Sequence, residues 1–172
     1  MNELKLLSQA ITATFQAGVP DFATVEAFSA VNEHTPQPAL CHTITAMEAS
    51  VDPGDGRLCI LARFEARILV DAQQQHAALQ AATLAAKSTL VLHKQFWGVD
   101  FVAAPLNVKA QTAIPAEVPG TLEWRVQWQQ PVYLGDLQWP WPDQPPGSLL
   151  FAFSPDTGPA HKDSYQAPED MA

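Results

Sequence analysis

The side chains able to do chemistry are few and scattered. Histidines stand at His34, His42, His76, His93 and His161, and cysteines at Cys41 and Cys59. Imidazole and thiolate suit zinc, so Cys41, His42 and Cys59 are the candidate ligand set. Adjacent strand residues point to opposite faces, however, so Cys41 and His42 do not readily hold one ion. Cys59 shares a strand face with Arg63 and Arg67, charges that would favour a thiolate nucleophile. The same residues equally make a solvated face. Asp52 and Asp55 flank a Pro-Gly turn, where aspartate is a turn former rather than half of a catalytic pair. The chain has no Gly-rich phosphate loop, no G-x-S-x-G elbow and no H-E-x-x-H. The residues thus point to no enzyme, no cofactor and no metal site. Two cysteines permit one disulfide, but this sparse use fits buried thiols in a reducing compartment.

Other side chains suggest surfaces instead. Arg63, Glu65 and Arg67 alternate along one strand face and form a candidate interface. Trp124 and Trp128 fall on the apolar face of their strand and are expected in the core. Trp139 and Trp141 sit in Trp-Pro-Trp-Pro, which cannot enter a sheet and should dock on an apolar surface of this domain or a neighbour. Leu84 and Val91, which project alongside Gln80 and Lys87 on a helix, are the proposed docking surface.

The 172 residues bound the chain to about one domain with a core large enough to need no staples. A net charge of −9 and a pI near 4.8 argue against nucleic acid or an anionic membrane as partner. No apolar run reaches the ~18 residues of a membrane span, and the N-terminus lacks the pattern of a signal peptide, so the expected location is cytoplasmic. The charge is uneven. Residues 136–172 carry net −5 and seven of the 15 prolines, while residues 1–135 carry only −4. A boundary near Gly135 is expected, with a body at 1–135 and a Pro/Trp-rich acidic extension at 136–172 whose last part is loose.

Within the body, Leu4, Leu7, Ile11 and Phe15 mark an amphipathic helix closed by Gly18 and Pro20. Residues 40–49 read as a strand, 52–56 as a turn, and 58–71 as a long alternating strand, together a β-hairpin. Residues 73–96 form an Ala-rich helix, with Leu79, Ala82, Ala86 and Leu90 expected against the sheet. A strand over 108–114 is weaker. Leu122, Trp124, Val126 and Trp128 alternate with polar residues in the last clear strand, with Pro131 suiting an edge or bulge. Residues 148–153 read as one more short strand. The fold class is α+β: a mainly antiparallel sheet with a long β-hairpin and two helices packed on one face.

The order of these elements resembles the tail terminator proteins of tailed bacteriophages, particularly those of Mu-like phages and prophages. The resemblance spans roughly residues 3–135. It rests on Pro38-Ala39-Leu40-Cys41-His42-Thr43-Ile44, the Asp52-Pro53-Gly54-Asp55-Gly56 turn, the Leu58 to Asp71 strand, the Ala-rich helix ending near Trp97, and above all Leu122-Glu123-Trp124-Arg125-Val126-Gln127-Trp128-Gln129-Gln130-Pro131-Val132-Tyr133-Leu134-Gly135. It implies a non-enzymatic structural protein, a homo-oligomeric ring of usually six copies. Such a ring caps the tail tube, stops its polymerisation and joins it to the neck or head connector. It would assemble in the host cytoplasm and reside in the virion tail. The competing expectations are a small monomeric or dimeric α+β binding module, or another adaptor of a phage tail or secretion tube.

Overall fold

A computed structural model describes residues 2–28, 34–138 and 149–170. The chain runs α1 (Glu3–Gly18), β1 (Thr24–Ala27), β2 (Ala39–Ala49), β3 (Leu58–Asp71), α2 (Ala77–Val91), β4 (Leu106–Ala113) and β5 (Thr121–Leu134). Short 3-10 turns follow at Pro159–Ser164 and Pro168–Asp170. The fold is α+β. One sheet has the strand order β1-β2-β3-β5-β4, antiparallel except where β1 runs parallel to β2. None of the helices among the described residues is long and apolar enough to cross a membrane.

The chain divides into two compact units. One comprises residues 1–51 and 58–134, the other 52–57 and 135–172. In the second, the Gln138 N–H donates to the Asp55 carbonyl at 2.8 Å, and Phe151 and Gln166 exchange two backbone hydrogen bonds at 2.9 Å. The Gly158 N–H donates to the Tyr165 hydroxyl at 2.8 Å. Over 149–153, the described part of the strand expected at 148–153, there is a single bridge at Phe151, and turns held by these bonds follow within 154–170. Trp139 and Trp141 lie outside the described residues.

The first unit is built on alternation. β3 and β5 pair without interruption from Leu58↔Leu134 to Asp71↔Thr121. Ile60, Ala62, Phe64, Ala66, Ile68 and Val70 therefore share a face with Val126, Trp128 and Val132, and all nine are buried. Leu7, Ile11 and Phe15 of α1 and Ala77, Ala81, Leu84 and Ala85 of α2 join the same cluster, so both α-helices cover this face. A Cβ added to Gly18 would lie 2.9 Å from a Val91 methyl, the place where α2 crowds the end of α1.

This arrangement corrects the expected orientation of α2. Leu84 is core at 2 % exposure and Val91 is half-buried against the core, whereas Leu79 and Leu90 are 68 % and 74 % exposed. The helix is apolar nearly all round, so periodicity could not choose the face. The close-packed Ala77, Ala81 and Ala85 stripe did. The helix is also shorter than 73–96. Asp71 ties the Gln73 N–H in a side-chain turn at 2.9 Å, and His76, Lys94 and Trp97 take left-handed backbone angles that interrupt helical winding.

Pro131 does not break its strand. β5 continues to Leu134, and the Pro131 carbonyl accepts from the Ala103 N–H at 3.0 Å. On that side β5 meets only the irregular segment 101–103 rather than a full ladder, so the missing proline donor is tolerated.

Phe15, Phe64, Trp97 and Trp128 meet around one buried amide. Phe64 stacks on Trp128 with centroids 5.0 Å apart, and Trp97 lies 5.7 Å from Phe15. Gln130, fully buried, accepts from the Trp97 indole N–H at 2.8 Å and, more loosely, from that of Trp128 at 3.4 Å. Its amide donates to the carbonyls of Gln95 (3.2 Å) and Ala103 (2.6 Å). One side chain thus satisfies four groups that burial would otherwise leave unpaired. Replacing Gln130 with Leu keeps the volume and removes every partner. We expect a loss of about 2–4 kcal/mol in urea unfolding, with the folded circular-dichroism spectrum retained.

His42 is a second buried polar group. It is 2 % exposed, its Nε2 lies 2.8 Å from the Thr12 hydroxyl, and burial lowers its pKa to about 4. The unfolded chain therefore binds a proton near pH 6.5 that the folded chain refuses until about pH 4. The stabilisation is complete above pH 6.5 and is lost as pH falls, at about 1.4 kcal/mol per pH unit within that window. Denaturant titrations from pH 7 to pH 4 should show this slope, and His42→Gln should flatten it.

Candidate assembly interface

The sheet face opposite the helices is charged. Registered pairs share a face in an antiparallel ladder, so Arg67 stands beside Arg125, Glu65 beside Gln127 and Arg63 beside Gln129. On β2, Thr43 lies across from Glu65 and Cys41 across from Arg67. Adjacent like charges repel, and Arg67 beside Arg125 is stable only because carboxylates bridge them. Arg67 donates to both Glu123 oxygens at 2.8 and 3.1 Å, a bidentate pair, and Arg125 Nε donates to Glu123 Oε1 at 3.1 Å. Glu117 closes the cluster from above. It pairs with Arg67 at 3.2 Å and with Arg125 through a short contact, while its backbone N–H donates to Glu123 Oε2 at 3.0 Å.

Glu123 lies on the side of β5 that alternation assigns to water, yet its side chain is fully buried. The loop between β4 and β5 covers that end of the face: Val118 is buried, and Thr121 donates to its carbonyl at 2.8 Å. Burial would raise the Glu123 pKa, but the Arg67 guanidinium, the Glu117 N–H and Arg125 outweigh it and hold the carboxyl below its ordinary value. Arg67, correspondingly, is held charged by Glu123.

The remaining charges are looser. Arg63 pairs with Glu48 at 2.9 Å with both about half exposed, and the Gln127 amide donates to Glu65 at 2.6 Å. A shallow groove of about 460 Å³ runs between them, lined by Thr45, Arg63, Asn107, Lys109, Gln127 and Gln129.

The sequence-predicted residues therefore separate. Arg63 and Glu65 lie on the open charged face, Arg67 is an anchor for a buried carboxylate, Leu84 and Val91 belong to the helix side, and Trp139 and Trp141 fall outside the described residues. Glu117 and Glu123 were missed. Alternation marked Glu123 as solvated, and nothing in the spacing announces that a loop with Pro115 and Pro119 folds over it.

The chemistry of the remaining candidates is quiet. Cys41 and Cys59 are both free buried thiols. Cys41 faces Arg67 in the register and Cys59 lies eight positions farther along β3, roughly 26 Å away, too far for a disulfide. Burial pushes the Cys41 thiol up to about 11, with Glu26 adding to the shift and Arg67 opposing it, so it stays protonated. Among the described residues, no three His, Cys, Asp or Glu side chains are grouped to hold a metal ion.

Unfolding should separate anchor from surface. Glu123→Gln leaves two guanidinium groups under-neutralised and is expected to cost about 3 kcal/mol. Arg63→Ala, at an exposed pair, should change stability by less than about 1 kcal/mol. Because the Glu123 pKa is depressed, its contribution is complete above the ordinary carboxylate range and is lost as pH falls through the folded-state value. The cost of Glu123→Gln should accordingly shrink on acidification.

No family model and no curated protein matches this chain. Among solved structures it is similar to the sheath/tube terminator of an extracellular contractile injection system (PVC), determined by cryo-EM in the extended state, at 16 % identity and a TM-score of 0.31. The match covers 88 % of this chain, which spans 63 % of the length of that one.

Proposed function

We propose that this chain is a non-enzymatic tail assembly protein: a terminator that closes as a ring, of six copies by the family pattern, on the end of a phage or prophage tail tube. There it stops polymerisation and presents a surface to the neck. The observation that carries the reading is the Trp-x-Val-x-Trp-x-Gln run that ends in Tyr-Leu-Gly, here Trp124 to Gly135. It forms most of β5, the strand whose one face holds the aromatic core and whose other face holds the charge cluster.

A head-to-tail ring needs two complementary patches on each copy. We read β2 and β3, paired from Ala39↔Leu69 to Ala49↔Ile60, as the long hairpin of the family pattern. Arg63 and Glu65 on its open face are the residues offered to the tube or to the next copy. Arg67 is removed from that role, because its guanidinium is committed to Glu123.

Deletion of the gene in a lysogen, followed by electron microscopy of the lysate, tests the reading. Overlong tails without heads are the expected outcome. Virions with tails of normal length would contradict it. Complementation with Arg63→Glu should restore folded protein but join fewer tails to heads than the unaltered gene.

A further inference from the structure

We propose that two open sheet edges of this chain are halves of a single intermolecular strand pairing, with β4 of one copy adding antiparallel to residues 43–49 of the next. The inference rests on the ring reading above and names the surfaces through which the ring closes.

β1 pairs with β2 only over residues 39–42. Beyond that point residues 43–49 meet β3 on one side and, among the described residues, no strand on the other. Residues 45–49 are exposed, Met47 at 54 %. At the far end of the sheet β4 pairs, among the described residues, with β5 on one side only, and six of its eight residues are exposed. An exposed strand edge is a template for another strand, and proteins blunt it with charges, a proline or a bulge. Each stretch here carries one charged side chain and no proline, and a register shift falls within each, between Ile44 and Ala46 and between Leu106 and Lys109, without ending the strand.

The two edges match in four respects. Seven residues face eight, so both stretches are roughly 25 Å long. The sole charge of residues 43–49 is Glu48 and that of β4 is Lys109, which makes no ion pair among the described residues. Glu48 is registered with Leu61 and Lys109 with Gln127, which places both on the helix-free face. Direction also agrees: β4 opposes β5, β5 opposes β3 and β3 opposes β2, so β4 runs antiparallel to β2. A copy displaced sideways without inversion would therefore extend the sheet with every charged face on the same side. Beside the free part of β2, an apolar groove of about 510 Å³ lined by Leu4, Ser8, Phe28, Ile44 and Met47 faces the helix side. Ala110 and Thr112, registered with Val126 and Trp124, occupy that side of β4.

The pairing is head-to-tail, so it propagates until it closes. The full chain carrying both Glu48→Cys and Lys109→Cys tests it under mild copper–phenanthroline oxidation. Within one copy these positions are separated by β3 and β5, roughly 14 Å, too far for an internal bridge. The expected result is a ladder of disulfide multimers beyond the dimer on a non-reducing gel. An equimolar mixture of the two single variants should instead stop at the mixed dimer. Monomer alone, same-site dimers alone, or bridges only to a different protein would overturn the pairing. Overlong tails on deletion without a ladder would leave the terminator reading standing and this edge pairing refuted. A ladder alongside normal tails on deletion would do the reverse.

Discussion

The uninterrupted ladder between β3 and β5 is the constraint on which the rest of this molecule depends. Fourteen consecutive pairs fix which side chains share a face, because a slip of one residue would exchange the two faces entirely. With the register set, Phe64 must stack on Trp128, Gln130 must enter the aromatic cluster, and Arg67 must stand beside Arg125. Each consequence then requires its own compensation. Gln130 supplies the hydrogen bonds that two indoles cannot find in an apolar interior, and Glu123 with Glu117 supplies the negative charge that two guanidinium groups need.

Much of this was legible in the sequence, and the failures share a cause. The α1 stripe at Leu7, Ile11 and Phe15, the alternation of β3 and the core placement of Trp128 follow from local periodicity, and the structure shows each of them. Period alone failed where its signal was weak or where distant chain intervened. The Ala-rich α2 offers no single apolar stripe, so Leu84 was assigned outward and Leu79 inward, the reverse of what packing selects. Glu123 obeys the alternation of β5 but is buried by a loop, and its partner Arg67 lies 56 residues away in sequence. Pro131 sits where its missing donor suits an edge: β5 continues through it to Leu134 and meets only an isolated bridge at Val102 on that side.

The two sheet faces divide apolar packing from charge. The helix side carries nearly all of the apolar burial and holds the fold, so the other face is free to be polar. There a fixed cluster at Arg67, Glu123, Arg125 and Glu117 sits beside looser charges at Arg63, Glu48 and Lys109. Substitutions in the first group are expected to lower stability, and those in the second to leave it nearly unchanged. The short β1 and the lightly charged β4 leave two sheet edges open among the described residues.

Immunogold labelling of purified tails with antibody against this chain tests the terminator role most directly. A ring that ends the tube places gold at one end of each tail, the end that joins the head. Label distributed along the tail, or confined to the end distal to the head, would contradict it.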